Sequence, residues 1–300
     1  MIRNVVLAHD FSPSSERALS YGIDLAERAG ATLHLTHVEE VPLGPLVRGA
    51  PSPLPDEEKF LNEFRERCQS ALDAQNLSRD RIRYHVARSG SVAPSLVDIA
   101  EEAGADLIVM GTQGQRGVRG AFVGSVAREV LRTAPCPVLT TRALSDDEPP
   151  DPGGVGRIVV PIDFSNPSRE ALQYTGQLSS IYAVPVTLVH VVERPTFPSV
   201  YELESPKISS RKIQARAERT LQDWGRDLLT DFDDVSYVIH EGEPASVILE
   251  TASSITDLLV MATRGRSGLR RTMLGSVTEE VISEARGPVL AGRMFPSVSA

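Results

Sequence analysis

The amino-acid sequence predicts an α/β protein made of two tandem domains, each a doubly wound, Rossmann-like parallel sheet. A glycine-rich segment occurs twice, beginning at Met110 and again at Met261. In both halves of the chain, short apolar runs alternate with stretches of helical periodicity. This alternation is typical of a parallel sheet with helices on both faces, because each right-handed crossover places a helix against the sheet.

The rest of the chain repeats in the same order. The run Asp10–Ser12 recurs as Asp163–Ser165, at an offset of about 153 positions. One domain of common size has therefore been duplicated. We place the first domain at 1–142, the linker at 143–156, the second domain at 157–294 and a tail at 295–300.

Each repeat begins with two strands and two helices, described here for the first repeat. The apolar run 3–9 predicts the first strand. Ser12 then has the position of a helix N-cap with proline after it, and Gly30 ends that helix. The run Thr32–Val38 predicts the second strand. After a loop rich in proline and glycine, Glu57–Ala74 has the spacing of a charged amphipathic helix.

The second part of the repeat predicts three more strands and two more helices. Ile82–Ala87 and 106–110 read as strands separated by the helix Ala93–Ala103. The glycine segment follows, and the helix Gly124–Arg132 and the strand Val138–Thr141 complete the unit.

The last strands of the two repeats predict how the domains meet. Val138–Thr140 and Val289–Ala291 are similar in sequence. An exposed sheet edge is an aggregation risk, so pairing these edges has a physical advantage. A linker of about 14 residues is long enough to allow it. We therefore expect an internal pseudo-dimer.

Composition excludes several classes of function. A formal net charge of −9 disfavours a general nucleic-acid-binding protein, which is usually basic. None of the lysines, Lys59, Lys207 and Lys212, follows a glycine loop, so a P-loop nucleotide hydrolase is excluded. No apolar run approaches the roughly 18 residues of a membrane span, and the N-terminus shows no export signal. We expect a cytoplasmic protein with two reduced cysteines and neither a nucleic acid nor a membrane as partner.

The duplicated glycine segment predicts a phosphate site, because glycine lets the backbone approach an anion and the amides of a helix start point toward it. The alternative is a tight structural turn between strand and helix. The first copy reads Met110-Gly111-Thr112-Gln113-Gly114, then nine residues, then Gly124-Ser125-Val126. The second reads Met261-Ala262-Thr263-Arg264-Gly265, then nine residues, then Gly275-Ser276-Val277.

Two further positions converge on the same edge of each predicted sheet. Asp10 and Asp163 follow the first strand of each repeat, and Val38 and Val191 end the second. Ligands of open α/β sheets bind beyond the carboxyl ends of the strands. A carboxylate opposite a phosphate cradle suits a nucleotide. The alternative for the aspartates is a turn or capping role at the helix start.

Together these motifs resemble the universal stress protein family in its tandem two-domain form, over nearly the whole chain except linker and tail. The family's ATP-binding branch uses the glycine motif for phosphates and ribose, the strand-one aspartate for the adenosine side and the strand-two backbone for adenine. The resemblance therefore implies one site formed by Asp10, Val38, Met110, Gly111, Gln113, Gly114, Gly124, Ser125 and Val126. It implies a second formed by Asp163, Val191, Met261, Ala262, Arg264, Gly265, Gly275, Ser276 and Val277.

The chain departs from the family pattern at several positions. Gln113 and Arg264 replace the histidine often seen between the first two glycines, although glutamine can donate a hydrogen bond and arginine can pair with phosphate. Ala262 replaces the first glycine of the second copy. Alanine is tolerable if that position needs only room, and it impairs the second site if a positive φ is required. Ala8 stands where the second repeat has the more usual Pro161.

The resemblance implies a stress-response regulator that binds ATP or AMP, with or without Mg²⁺, at one or both domains. Two alternatives stay open: a slow ATPase or nucleotide hydrolase, and an interaction module independent of nucleotide. The sequence contains no catalytic motif and no metal site, so hydrolysis would be slow. It also lacks a dinucleotide fingerprint after the first strand, so NAD is not expected to bind. Besides the pseudo-dimer, a homodimer of whole chains is open.

Overall fold

The computed structural model describes residues 2–41, 57–73, 77–114, 123–145, 147–148, 151, 153–193, 210–230, 232, 234–265, 274–293 and 295. Most of the nine-residue segments inside the glycine motifs, and the predicted tail beyond 295, lie outside these residues. The strands are β1 (Asn4–Ala8), β2 (Thr32–Glu40), β3 (Ile82–Ser89), β4 (Leu107–Gly111), β5 (Val138–Thr141), β6 (Arg157–Pro161), β7 (Val186–Val192), β8 (Val235–Glu241), β9 (Asp257–Ala262) and β10 (Val289–Gly292). The helices are α1 (Pro13–Ala29), α2 (Glu57–Asp73), α3 (Val92–Glu102), α4 (Ser125–Thr133), α5 (Asn166–Tyr182), α6 (Ser210–Leu228), α7 (Pro244–Thr251) and α8 (Ser276–Glu284).

These strands form a single sheet that runs through both halves of the chain. Their order is β3-β2-β1-β4-β5-β10-β9-β6-β7-β8. The pairs within each half are parallel, whereas β5 and β10 pair antiparallel with Leu139 opposite Leu290. Each half is thus a doubly wound α/β domain, and the two meet edge to edge. The predicted fold class and the internal pseudo-dimer are confirmed.

Local sequence explains how α1 and α5 begin. Ser12 and Ser165 adopt extended backbone, and the side chain of each accepts a hydrogen bond from the amide three residues on. A proline in the first turn of each helix has its φ already set for a helix. Gly30 ends α1 with a φ of 66°. The predicted cap, proline and terminating glycine of this helix are all present.

The apolar core forms two layers, one on each face of the sheet, and both layers continue across the domain boundary. Leu139 and Leu290 lie in the layer covered by α1, α2, α5 and α6. Val138 and Val289 lie in the layer on the opposite face, together with residues of α4 and α8. Because successive side chains on a strand point to opposite faces, this short antiparallel pair contributes to both layers.

Polar contacts also join the halves near the pseudo-twofold axis. Arg128 of α4 forms an ion pair with Glu279 of α8, with 2.8 Å between Nη2 and Oε1. Thr140 Oγ1 donates a hydrogen bond of 3.1 Å to the carbonyl of Val289. By the offset of the repeat, residues 128 and 279 occupy equivalent positions in their domains.

Acidic residues of the linker are held by two arginines, the buried Arg17 and the partly buried Arg142. Arg17 of α1 forms an ion pair with Asp151, and the two side chains are only 6% and 10% exposed. Tyr21 donates to the same carboxylate at 3.0 Å and also lies 3.2 Å from the carbonyl of Ile255 in the second domain. Arg142 pairs with both carboxylate oxygens of Glu148. These contacts fix the described part of the linker against the first domain, which Tyr21 joins to the second.

Two sequence expectations have simple structural counterparts. Cys68 and Cys136 are both free and buried, and burial raises the pKa of each thiol to about 12. Among the described residues, no helix is long and apolar enough to cross a membrane.

Candidate functional site

The candidate site of each domain lies where the strand order changes direction. In the first domain β1 pairs with β2 on one side and with β4 on the other. The carboxyl ends of β1, β2 and β4 therefore meet at one edge, which brings Asp10, Val38 and the glycine segment together. In the second domain β6, β7 and β9 are arranged in the same way.

One oxygen of each strand-one aspartate stabilises the turn into the helix. Asp10 Oδ1 accepts hydrogen bonds from the amide and hydroxyl of Ser12, at 3.1 and 2.6 Å. Asp163 Oδ1 accepts the same pair from Ser165, at 3.0 and 2.5 Å. The residue between the aspartate and the serine has a positive φ in both domains, 63° at Phe11 and 62° at Phe164. The turn role considered from the sequence thus accounts for one of the two carboxylate oxygens.

The other oxygen of each aspartate faces the glycine segment. A Cβ added at Gly114 would lie 2.8 Å from Asp10 Oδ2, and one added at Gly265 would lie 2.7 Å from Asp163 Oδ2. Real Cβ atoms do not approach an oxygen so closely, so a side chain there would displace the aspartate or the loop. Glycine at the second motif position therefore leaves the Oδ2 oxygen of the aspartate undisturbed where the loop passes it.

The third glycine of each motif begins a helix and packs against the loop. The Gly124 amide donates to the carbonyl of Thr112 at 2.8 Å, and the Gly275 amide donates to that of Thr263 at 2.9 Å. A Cβ at Gly124 would lie 2.9 Å from the Thr112 carbonyl oxygen. A side chain at Gly124 would therefore collide with the protein's own backbone, whether or not a ligand is bound. A Cβ at Gly275 would lie 3.2 Å from the Thr263 carbonyl oxygen, which is a tight contact.

The helices that follow, α4 and α8, begin at glycine N-caps, which have no side chain to cap the first amides. In contrast, α1, α5 and α7 are capped by the side chains of Ser12, Ser165 and Glu243, while Ser91 at the start of α3 makes no cap hydrogen bond. The first amides of a helix have no partner within the helix, so they attract an anion when no side chain caps them. The predicted residues Ser125 and Ser276 are the exposed first residues of α4 and α8.

An apolar wall borders this edge of each sheet. Val38 and Val126 pack against the layer that contains Met110. Val191 and Val277 pack against the continuation of that layer around Met261. The structure thus brings the predicted strand-two valines to the same face as the helix that follows the glycine loop.

A scan against family models matches the chain twice, at residues 1–142 and 154–293, to the universal stress protein family. The chain belongs to the universal stress protein family. A universal stress protein of Mycobacterium tuberculosis is 28% identical over 299 residues, which cover 96% of each chain.

Solved structures show the same tandem fold as this universal stress protein. A structure from Pseudomonas aeruginosa described as a universal stress protein aligns over 98% of this chain and 94% of its own, with a TM-score of 0.68 and 18% identity. A universal stress protein from Archaeoglobus fulgidus aligns over 97% and 96%, with a TM-score of 0.57 and 20% identity. At these identities the likeness concerns the fold alone.

The second copy of the universal stress protein motif accommodates Ala262 for a structural reason. Its equivalent, Gly111, does not have a positive φ, so the position does not require glycine for its backbone conformation. A Cβ at 111 would overlap the Ser14 hydroxyl and lie 2.8 Å from the Ser15 amide nitrogen. The second domain has Pro167 in place of Ser14, so that hydroxyl is missing. The position of Gly111 and Ala262 therefore depends on the space available for a Cβ and not on a positive φ.

Sequence reasoning missed how the repeated histidines support the site. His37 Nδ1 lies 2.6 Å from the carbonyl oxygen of His9, and His190 Nδ1 lies 2.6 Å from that of Ile162. Each carbonyl belongs to the residue immediately before the strand-one aspartate. Recurrence of His-Val in both repeats was the available signal. In the described part of the chain, no three His, Cys, Asp or Glu side chains are grouped so that they could hold a metal ion.

The two sites differ in the charge around the strand-one turn. His9 is buried, and its Nε2 lies 3.5 Å from a carboxylate oxygen of Glu16. Burial lowers the pKa of His9, while the nearby Glu16 acts in the opposite direction. The second domain has Ile162 and Arg169 at these positions. The first site therefore carries a titratable pair that the second lacks.

Proposed function

We propose that this universal stress protein binds an adenine nucleotide, ATP or AMP, at one or both domains. It would act in the cytoplasm as a regulator of the stress response. The phosphates would lie on the glycine loop and on the first amides of α4 or α8. The strand-one aspartate would face the ribose hydroxyls. One observation carries the proposal: each domain holds a carboxylate against a glycine loop that leads into a helix start with no described side-chain cap.

The residues present are compatible with this ligand. Asp10 Oδ2 and Asp163 Oδ2 lie on the loop side of the turn, where an acceptor for a ribose hydroxyl is needed. Helix amides supply the positive pole that a phosphate requires. The apolar wall that includes Val38 or Val191 offers a surface for the base. Mg²⁺, if it accompanies the nucleotide, would be held chiefly by the phosphates, as is usual for this ion.

The first test asks what the full-length protein carries and what stabilises it. Native mass spectrometry of freshly purified protein should detect an adenine nucleotide. In thermal denaturation, ATP or AMP should raise the melting temperature with concentration, as expected for a ligand of the native state. NAD at the same concentration should raise it much less. Equal stabilisation by NAD and ATP would contradict the proposal, and repeated turnover of ATP would favour the hydrolase alternative.

The second test blocks each site without disturbing its glycines. Ser125→Glu places a carboxylate at the start of α4, where it favours the helix dipole and repels a phosphate. Binding at the first site should weaken by at least about tenfold, since two like charges about 4 Å apart near a protein surface repel by more than about 1.4 kcal/mol. Ser276→Glu should do the same at the second site. The matched controls are Ser125→Gln and Ser276→Gln.

The melting temperature without nucleotide makes this test specific. It should stay the same or rise slightly in the glutamate variants, because a negative charge is favourable at a helix N-terminus. Calorimetric titration with ATP then counts the sites, with one lost in each single variant and both in the double variant. Unchanged ATP affinity in the double variant would show that the nucleotide binds elsewhere.

A further inference from the structure

The two glycine loops are fastened to different helices. In the first domain, the Ser14 hydroxyl of α1 donates a hydrogen bond to the carbonyl of Gln113. Ser12 Oγ, whose single hydrogen is donated to Asp10 Oδ1, lies 3.1 Å from the same carbonyl. In the second domain, Thr278 Oγ1 of α8 donates a hydrogen bond of 3.0 Å to the carbonyl of Ala262. The loop is thus held by the helix before β2 in one domain and by the helix after the loop in the other.

Neither contact can form in the opposite domain. Pro167 stands at the position equivalent to Ser14, and Ala127 stands at the position equivalent to Thr278. Proline and alanine have no hydroxyl to donate. Ser14 and Thr278 are 1% and 4% exposed, so these hydrogen bonds are protected from competing water.

The first glycine position of the motif, Gly111 or Ala262, differs between the domains in the same way as the residue that contacts the loop. In the first domain the Ser14 hydroxyl, together with the backbone of Ser14 and Ser15, occupies the space that a Cβ at Gly111 would need. In the second domain proline removes that hydroxyl, and Ala262 is present. The two positions of this contact therefore change together: they hold Ser14 and Gly111 in the first domain, and Pro167 and Ala262 in the second. The backbone of Ser14 is itself held by Thr141, whose Oγ1 donates to the Ser14 carbonyl at 2.8 Å.

We propose that Ser14 and Thr278 are positioning residues, each of which sets the conformation of the glycine loop in its own domain only. The first loop is thereby ordered against α1, and the second against α8. As far as a ligand is concerned, this inference rests on the proposed nucleotide function. The ordering of the loops is a property of the free protein, so it can be measured without any ligand.

The first experiment is hydrogen exchange of the full-length protein, read by mass spectrometry in peptides covering 110–114 and 261–265. Ser14→Ala should accelerate exchange in the first peptide and leave the second unchanged. Thr278→Ala should give the reverse result. The control is Thr175→Ala, because the buried Thr175 Oγ1 donates to the Ala171 carbonyl within α5 and not to a glycine loop. Equal changes in both peptides, or none in either, would overturn the proposal.

The second experiment measures ATP affinity by calorimetry, with the other site blocked by Ser276→Glu or Ser125→Glu. Ser14→Ala should weaken the first site by about fivefold, the usual effect of one net hydrogen bond, and leave the second unchanged. Thr278→Ala should weaken the second site similarly, and Thr278→Ser should retain wild-type affinity. Loss of thermal stability with unchanged affinity would reduce these residues to a purely structural role and refute the proposal.

Introducing the contact of the second domain into the first distinguishes a positioning role from a general loss of stability. Adding Ala127→Thr to the Ser14→Ala variant gives the first domain a threonine hydroxyl where the second has Thr278. This hydroxyl should restore slow hydrogen exchange in the peptide 110–114. Failure of this rescue, with the double variant folded, would count against the proposal. If wild-type protein binds no ATP while exchange behaves as expected, the proposed nucleotide function fails and the positioning inference stands.

Discussion

Replacing Asp151 by asparagine should lower the free energy of unfolding of the full chain by about 3 kcal/mol, the lower range for breaking a buried ion pair. The Arg17 and Asp151 side chains are only 6% and 10% exposed, so the remaining guanidinium would keep its charge in a poorly solvated place. The nearby carbonyl of Arg142, 3.2 Å from Arg17 Nη1, can solvate it only in part. Tyr21 would also lose a carboxylate acceptor.

Urea denaturation at neutral pH, followed by circular dichroism, measures this change through the midpoint and slope. The matched control is Asp223→Asn, which breaks the Arg226–Asp223 pair, whose side chains are 70% and 62% exposed. That control should change stability by less than about 0.5 kcal/mol. Tyr21→Phe should cost an intermediate amount of about 1 kcal/mol. If Asp151→Asn costs no more than Asp223→Asn, the linker is not a stabilising element.

Stability should also depend on pH through three histidines. Burial lowers the pKa of His9, His34 and His85 from 6.5, so the folded chain binds fewer protons than the unfolded chain in mildly acidic solution. Stability is therefore complete above about pH 6.5 and declines as the pH falls below it; His34→Gln should reduce that decline in urea midpoints. Ala262→Gly should improve ATP affinity at the second site by less than about tenfold, or 1.4 kcal/mol. A larger gain by calorimetry would mean that the wild-type second site is impaired.

Much of the fold follows from local patterns in the sequence. The N-cap at Ser12 and the terminating Gly30 define α1 because capping depends on residues within one turn. Strand ends were less certain: β2 continues to Glu40, past the predicted end at Val38. Its last residues pair with β3 through Glu40 and Ser89, and pairing partners are not visible in a local pattern. The repeat also made the contact between the last strands of the two domains predictable, although not its antiparallel direction.

The site could be predicted only in part. Proximity of Asp10 to Gly114 follows from topology, since both follow neighbouring parallel strands. The hydrogen bond from Ser14 to Gln113 joins residues 99 positions apart and depends on the helix packing angle, which the sequence does not report. The contacts of Asp151 are equally remote from Arg17 along the chain. An acidic, proline-rich segment suggested only a spacer.

The ion pair between Arg128 and Glu279 has a consequence for how either half of the chain would pair with a copy of itself. These residues are equivalents in the two repeats, so an assembly of two identical first halves would set arginine against arginine, and two second halves would set glutamate against glutamate. Like charges at such a contact oppose association. A homodimer of either half alone would therefore be weaker at this contact than the pairing of the two halves within the full chain.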